Sequence, residues 1–202
     1  MQKRPNLFIG YKSAKAIPVR DPMVRDFLIQ ATLDPMVFAI DYQPTVVHAD
    51  RVLPVNGIVL ERCGDRRFAV DFVGARPPTD PQGEALLQVA FERGCAGIME
   101  VTAADIRAEP RLSSAREVWG HGSIYVHGDD RAQIVEALES EGPLEMAELD
   151  RLADTRRETR AVVCALACEG SVELDLRLGL GPAATVRLGS RRPSLRMHGY
   201  GA

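Results

Sequence analysis

The chain has 202 residues, of which 46% are hydrophobic and 26% charged, and this composition is typical of a globular rather than a disordered protein. Its formal net charge of −3 argues against a protein that coats DNA without specificity, because phosphate neutralisation supplies most of that binding. No apolar run is long enough to span a bilayer, and the N-terminus lacks the apolar stretch of a signal peptide. We therefore expect a cytoplasmic protein that does not contact a membrane.

The first part of the chain predicts a mixed α/β sheet flanked by helices. Asp21 followed by Pro22 predicts the start of a helix, which ends before Asp34. The predicted strands cover residues 37–40, 45–48, 58–62, 67–73 and 96–101. A predicted helix over residues 84–91 separates the last two strands, and a strand–helix–strand order implies at least one parallel pair.

The pattern of predicted elements changes near Gly128, after a predicted helix at residues 113–119 and a predicted strand at 124–127. Three helical segments and then two short strands are predicted beyond that point, at residues 131–140, 144–153, 155–168, 171–176 and 184–188. This is the order of a winged helix. We therefore predict three regions, at 1–128, 129–190 and 191–202, the last of them a flexible basic tail.

Four cysteines occur without any CxxC pair, which argues against a zinc site. Cys164 and Cys168 are one helical turn apart in an apolar segment, so we expect both to act as small core residues.

Two carboxylates are set into short apolar runs that predict neighbouring strands. Asp71 lies in residues 68–73, and Glu100 lies in residues 97–102. Burying a lone carboxylate is costly unless it is paired, hydrogen-bonded or holding a metal ion. The two runs therefore suggest a functional site.

Five short motifs occur in an order that resembles one nuclease family. They lie at residues 23–28, 33–37, 42–44, 68–73 and 99–102. Together they resemble the N-terminal domain of TnsA-type transposon endonucleases, which belong to the restriction-endonuclease-like PD-(D/E)xK group. The resemblance covers roughly residues 20–120 and implies a restriction-endonuclease-like sheet with a C-terminal winged helix.

The resemblance also implies which residues would carry catalysis. In the family, two strand carboxylates and a helix glutamate hold Mg²⁺ or Mn²⁺ against the scissile phosphate, and a lysine stabilises the developing charge. Asp71 and Glu100 match the strand carboxylates, whereas Val24 and Thr102 stand where the glutamate and the lysine belong. Valine cannot ligate a metal, and threonine carries no charge. Three neighbours could in principle substitute, namely Lys12, Lys15 and Glu84.

The predicted winged helix allows contact with DNA or with protein. The residues expected to meet DNA are polar or cationic, and they comprise Thr155, Arg156, Arg157 and Arg160 near the third helix, with Arg191 and Arg192 in the tail. Acidic residues on the second helix, among them Glu148 and Asp150, favour a protein partner or a homodimer instead. The arginine-bearing tail favours double-stranded DNA.

The sequence thus predicts a non-catalytic, nuclease-derived protein that associates with DNA, as an accessory of a mobile element or as a regulator of transcription or recombination. In that case no cofactor is expected. The first alternative is a DNA endonuclease with a rearranged active site, which would use Asp71 and Glu100 with Mg²⁺ or Mn²⁺. The second alternative is an adaptor that docks a partner protein through the acidic face of the winged helix.

Overall fold

The computed structural model describes residues 6–48, 51–62, 64, 66–73, 91 and 94–190. The chain divides into two compact units, Met1–Leu112 and Ser113–Ala202. This division falls earlier in the chain than the boundary predicted near Gly128. Each unit is described by itself below.

The first unit is built on a mixed four-stranded sheet. Its elements in chain order are β1 (Asn6–Phe8), β2 (Ile17–Val19), α1 (Pro22–Leu33), β3 (Val37–His48), β4 (Arg51–Arg62), β5 (Arg66–Phe72), β6 (Gly97–Val101) and α2 (Ala103–Arg107). The sheet order is β3-β4-β5-β6, in which the first three strands are antiparallel and β6 runs parallel to β5. The predicted parallel pair is therefore confirmed. Strands β1 and β2 form a separate antiparallel pair.

Helix α1 begins where the sequence predicts it. Asp21 is the N-cap residue, and its carboxylate accepts the Met23 backbone N–H at 2.8 Å. Pro22 opens the helix, since its fixed φ suits the first helical position. Phe27 is buried on this helix and meets Phe72 of β5 edge-on, with ring centroids 5.1 Å apart. Helix α1 therefore packs on the face of the sheet to which Phe72 points.

Two of the predicted short strands are a single strand. Residues 37–40 and 45–48 both belong to β3, so the predicted break between them is wrong. Pro44 lies at the register shift between Gln43 and Thr45. Proline lacks a backbone N–H, and an edge strand accommodates it at such an irregularity without ending. The predicted helix at residues 84–91 lies outside the described residues except for its last position.

The second unit combines helices with a small sheet. Its elements are α3 (Arg111–Gly120), which begins at the end of the first unit, then α4 (Gly128–Glu141), β7 (Leu144–Glu145), α5 (Met146–Leu152), α6 (Thr159–Glu169), β8 (Val172–Leu174) and β9 (Thr185–Leu188). The strands form an antiparallel sheet in the order β7-β9-β8. The centre of α6 is buried with residues from the other elements, including Ile134, Leu149 and Val186.

Three sequence predictions in this unit need correction. The third helix of the predicted winged helix begins at Thr159, so Thr155 precedes it. The helix predicted at residues 144–153 begins at Met146, because Leu144 and Glu145 form the short strand β7. The predicted strand at residues 124–127 is absent from the structure. The segment instead leads into α4, where His127 has extended backbone and is the N-cap residue. Its Nδ1 accepts the Asp129 N–H at 3.3 Å.

Among the helices of the described segments, none is both long and apolar enough to cross a bilayer.

Candidate functional site

Asp71 and Glu100 stand directly opposite each other on neighbouring strands. They are register partners in the parallel ladder of β5 and β6. Register partners on adjacent strands project to the same face, and the strands are about 4.8 Å apart. The two predicted site residues are therefore side by side. Because side chains alternate along a strand, both point to the face opposite Phe72, which is packed against α1.

The carboxylates are less buried than the sequence suggested. Asp71 is half-buried and Glu100 is exposed. Strand β6 is the last strand of the sheet as described, and Glu100 is the penultimate residue of that strand. Water can therefore hydrate this carboxylate. The expectation that an apolar run buries its single acid is wrong for Glu100, because an edge strand leaves one flank open.

Thr102 caps a helix at the position where the family has its lysine. Its Oγ1 donates to Asp105 Oδ2 at 2.6 Å and accepts the Asp105 backbone N–H at 3.2 Å. The Thr102 backbone N–H donates to the same Asp105 oxygen at 2.9 Å, which completes a capping box at the start of α2. The hydrogen bond from the Thr102 side chain lowers the pKa of Asp105. The Thr102 hydroxyl is thus engaged in local structure.

The other positions considered for catalysis do not complete the site. Val24 lies half-buried in α1, and its side chain has no metal-binding atom. The Lys12 ammonium donates to the backbone carbonyl of Asp34 at 2.5 Å, at the C-terminal end of α1. Lys15 is exposed, and Glu84 lies outside the described residues.

The donor set does not match the metal centre that the resemblance implies. Within the segments that the structure describes, no three residues of the types His, Cys, Asp and Glu are grouped closely enough to hold a metal ion. The pair of Asp71 and Glu100 therefore lacks a third ligand of these types there. The position of the charge-stabilising lysine is also occupied by a neutral hydroxyl that is already hydrogen-bonded.

The residues predicted to bind DNA lie in and just before α6. Thr155 Oγ1 donates to the Arg157 carbonyl at 2.7 Å and is 3.1 Å from Thr159 Oγ1. The Arg156 guanidinium forms an ion pair with Asp129 at 2.7 Å, and both side chains are well exposed. The Arg156 backbone N–H donates to Asp130 at 3.0 Å. The segment before α6 is therefore held against the start of α4.

Only one of the predicted DNA-binding arginines in this part of the structure lacks an acidic partner. Arg160 is paired with Glu117 and donates to the Leu180 carbonyl at 3.0 Å. Arg157 is exposed, and among the described residues its side chain makes no hydrogen bond or ion pair. Arg191 and Arg192 lie outside the described residues. The arginine cluster is thus more fully neutralised than the sequence suggested, because its acidic partners come from distant segments.

The first unit contains a cavity that the sequence did not predict. It has a volume of about 350 Å³ and is lined by Met36, Arg62, Arg66, Phe68, Ile98 and Met99. These residues come from three strands and the turn before β3. No local pattern in the sequence indicates their meeting.

No protein-family model matches the chain, and no curated protein matches it. The resemblance to TnsA-type endonucleases therefore stays a prediction from the order of the short motifs in the sequence.

Proposed function

We propose that this protein associates with double-stranded DNA and is built on the scaffold of a TnsA-type endonuclease that no longer cleaves. One observation carries the proposal. Asp71 and Glu100 are register partners on a parallel strand pair, while Thr102, two residues beyond Glu100, caps α2. The strand carboxylates of such a nuclease are retained, and the position of its lysine has a structural role instead.

The strand arrangement around this pair supports a restriction-endonuclease-like unit. Helix α1 precedes three antiparallel strands, and the fourth strand joins β5 in parallel. The two carboxylates come from adjacent strands, as the resemblance implies. Catalysis would need more than this pair, because a metal ion must be held firmly and the charge on the scissile phosphate must be stabilised. Val24 and Thr102 offer neither function.

The second unit supports a winged helix as the DNA-binding part. After α3, its order from α4 onward is helix, strand, helix, helix, strand, strand, and its three strands form one sheet. In such a fold the third helix, here α6, presents its N-terminal residues to the major groove. Arg157 lies two residues before α6, and its side chain makes no ion pair with the residues that the structure describes. Arg156 can exchange its exposed partner Asp129 for a phosphate at low cost, since exposed ion pairs contribute little.

A gel-shift titration of the full chain with a random-sequence duplex at low salt tests the proposal. We expect a salt-sensitive shift that Arg157→Ala weakens, with the slope of log K against log salt reduced by about one. Arg151→Ala is the matched control, because Arg151 is an exposed arginine of the same unit beside the acids of α5. Failure to shift any duplex at low salt would refute the proposed association with DNA.

A metal-dependent endonuclease is the second candidate function. The same register pairing of Asp71 and Glu100 favours it, because two adjacent carboxylates can bind Mg²⁺ together with substrate phosphates. The two candidates differ in whether DNA is cut after it is bound, which a plasmid assay distinguishes.

A further inference from the structure

We propose that the 350 Å³ cavity of the first unit binds an unpaired nucleotide, with arginines on its phosphate and Phe68 against its base. The volume falls within the range of small-ligand sites, about 300–1,000 Å³. Its lining combines two guanidinium groups with four apolar side chains. This mixture matches a ligand that carries both a phosphate and a flat ring.

Among the described residues, the guanidinium of Arg62 makes two weak interactions. Its Nη2 lies 3.8 Å from Asp34 Oδ2, which is beyond hydrogen-bond distance, and its Nη1 donates to the Met99 sulfur at 3.9 Å. Thioether sulfur is a poor acceptor. The Asp34 carboxylate also accepts the Met36 backbone N–H at 2.8 Å, so its charge is shared. Arg62 therefore keeps donors that a phosphate would bind more strongly.

Arg66 supplies a second guanidinium beside an aromatic ring. Its side chain is exposed, and its guanidinium carbon lies 5.9 Å from the centre of the Phe68 ring. No other hydrogen bond or ion pair involves the Arg66 side chain within the described segments. An aromatic ring and an arginine plane together form the kind of platform on which unpaired bases stack.

The apolar part of the cavity favours a base that is outside a duplex. Met36 and Met99 line it beside Phe68. Methionine side chains adapt to flat ligands because they are unbranched and polarizable. A base within a duplex has its faces covered by its neighbours, so only an unpaired base can insert between these side chains.

This site is separate from the carboxylate pair. Phe68 and Met99 point to the face of the sheet opposite Asp71 and Glu100, as the alternation along β5 and β6 requires. Ile98 also borders the cavity, but by the same alternation its side chain points to the face of the carboxylates. The choice of a nucleotide rather than another ring-bearing anion rests on the proposed association with DNA. The cavity itself is independent of α6 and its arginines.

Fluorescence anisotropy of a 5′-phosphorylated single strand of thymidines, labelled at its 3′ end, tests the proposal with the full chain. We expect binding that thymidine 5′-monophosphate displaces and thymidine displaces poorly. Arg66→Ala should weaken binding about tenfold, since it removes a charge-assisted contact. Phe68→Leu, which removes the ring and keeps an apolar side chain, should weaken it about fivefold. Arg25→Ala, at an exposed arginine of α1, is the matched control and should change it less than about twofold.

The outcomes separate this proposal from the proposed function. If thymidine 5′-monophosphate displaces the strand, a free nucleotide is sufficient to occupy the cavity. If the strand binds but the mononucleotide does not displace it, the ligand is a DNA end. Loss of single-strand binding in Arg66→Ala with an unchanged duplex shift supports the cavity. Arg66-dependent single-strand binding without any duplex shift supports the cavity and refutes the proposed function. The proposal would be overturned if Arg66→Ala and Arg25→Ala changed the affinity for the single strand equally. It would also be overturned if neither the labelled strand nor thymidine 5′-monophosphate bound.

Discussion

The hydroxyl of Thr102 and the carboxylate of Asp105 satisfy each other's backbone N–H groups at the start of α2. A lysine at this position would lose both hydrogen bonds of the hydroxyl. The local fold therefore favours a small hydroxyl residue there. The residue two positions after Glu100 therefore has a structural role, as the cap of α2, that a lysine could not fill.

Replacing Thr102 by valine should lower the free energy of unfolding by about 1 kcal/mol, because the cap of α2 is lost. Thr102→Ser keeps the hydroxyl and should stay close to the wild type. The part of this difference that comes from the Asp105 carboxylate should be full above the usual Asp pKa of 3.8 and should be lost as the pH falls through the lowered pKa of Asp105. The hydrogen bond from the Asp105 backbone N–H to the Thr102 hydroxyl does not depend on pH. Urea denaturation at pH 7 and at a series of pH values below 3.8 measures both effects. A difference that stays constant down to the end of the carboxylate titration would show that the Asp105 charge is not involved.

The thiols of α6 should be inert in the native protein. Burial raises the pKa of Cys164 and of Cys168 to about 12. Only the thiolate reacts, and at pH 8 a thiol with this pKa is ionised in about one molecule in ten thousand. We expect both to be alkylated by iodoacetamide far more slowly in buffer than in urea, as followed by peptide mass spectrometry. Labelling of Cys164 at the same rate in both conditions would contradict the buried core of the second unit.

Strand β4 has two halves with different support. Residues Ile58 to Arg62 pair with β3 on one side and β5 on the other. Within the described ladder, the half nearer Arg51 pairs with β3 alone. In this half Val52 is the register partner of Val47 on β3, and the two residues have 66% and 73% of their surface exposed. A two-stranded ribbon has little stability of its own.

Hydrogen exchange should therefore differ along this strand. The amides of Val59 and Leu60, which lie in the centre of the sheet, should be protected close to the global free energy of unfolding. The amide of Val52 in the other half of β4, and that of its register partner Val47 on β3, should exchange much faster. Native-state exchange followed by NMR measures the difference. Uniform protection along β4 would indicate that another surface covers the ribbon, such as a second copy of the chain.

Across the whole molecule, the sequence predicts features that depend on neighbouring residues. It does not predict features that depend on contacts between residues far apart in the chain. The cap formed by Asp21 and the parallel pair of β5 and β6 depend on short-range patterns, and both were predicted. The exposure of Glu100 depends on the position of β6 at the edge of the sheet, which no local pattern reveals.

The candidate DNA-binding surface shows the same limit. Arg156 and Arg160 form a basic cluster in the sequence, but their partners Asp129 and Glu117 lie 27 and 43 residues away. Long-range ion pairs of this kind cannot be inferred from charge patterning. The Arg62–Arg66 cavity was missed for a related reason, because its apolar lining is assembled from separate strands.

The most direct test of the central claim is an assay on supercoiled plasmid with Mg²⁺ or Mn²⁺, comparing the wild type with Asp71→Ala. If the carboxylate pair is a non-catalytic remnant, the wild type should retard the plasmid in a gel, and removing the protein should return it fully supercoiled. Nicked or linear plasmid that appears only with metal, and that Asp71→Ala abolishes, would contradict this claim and establish an endonuclease.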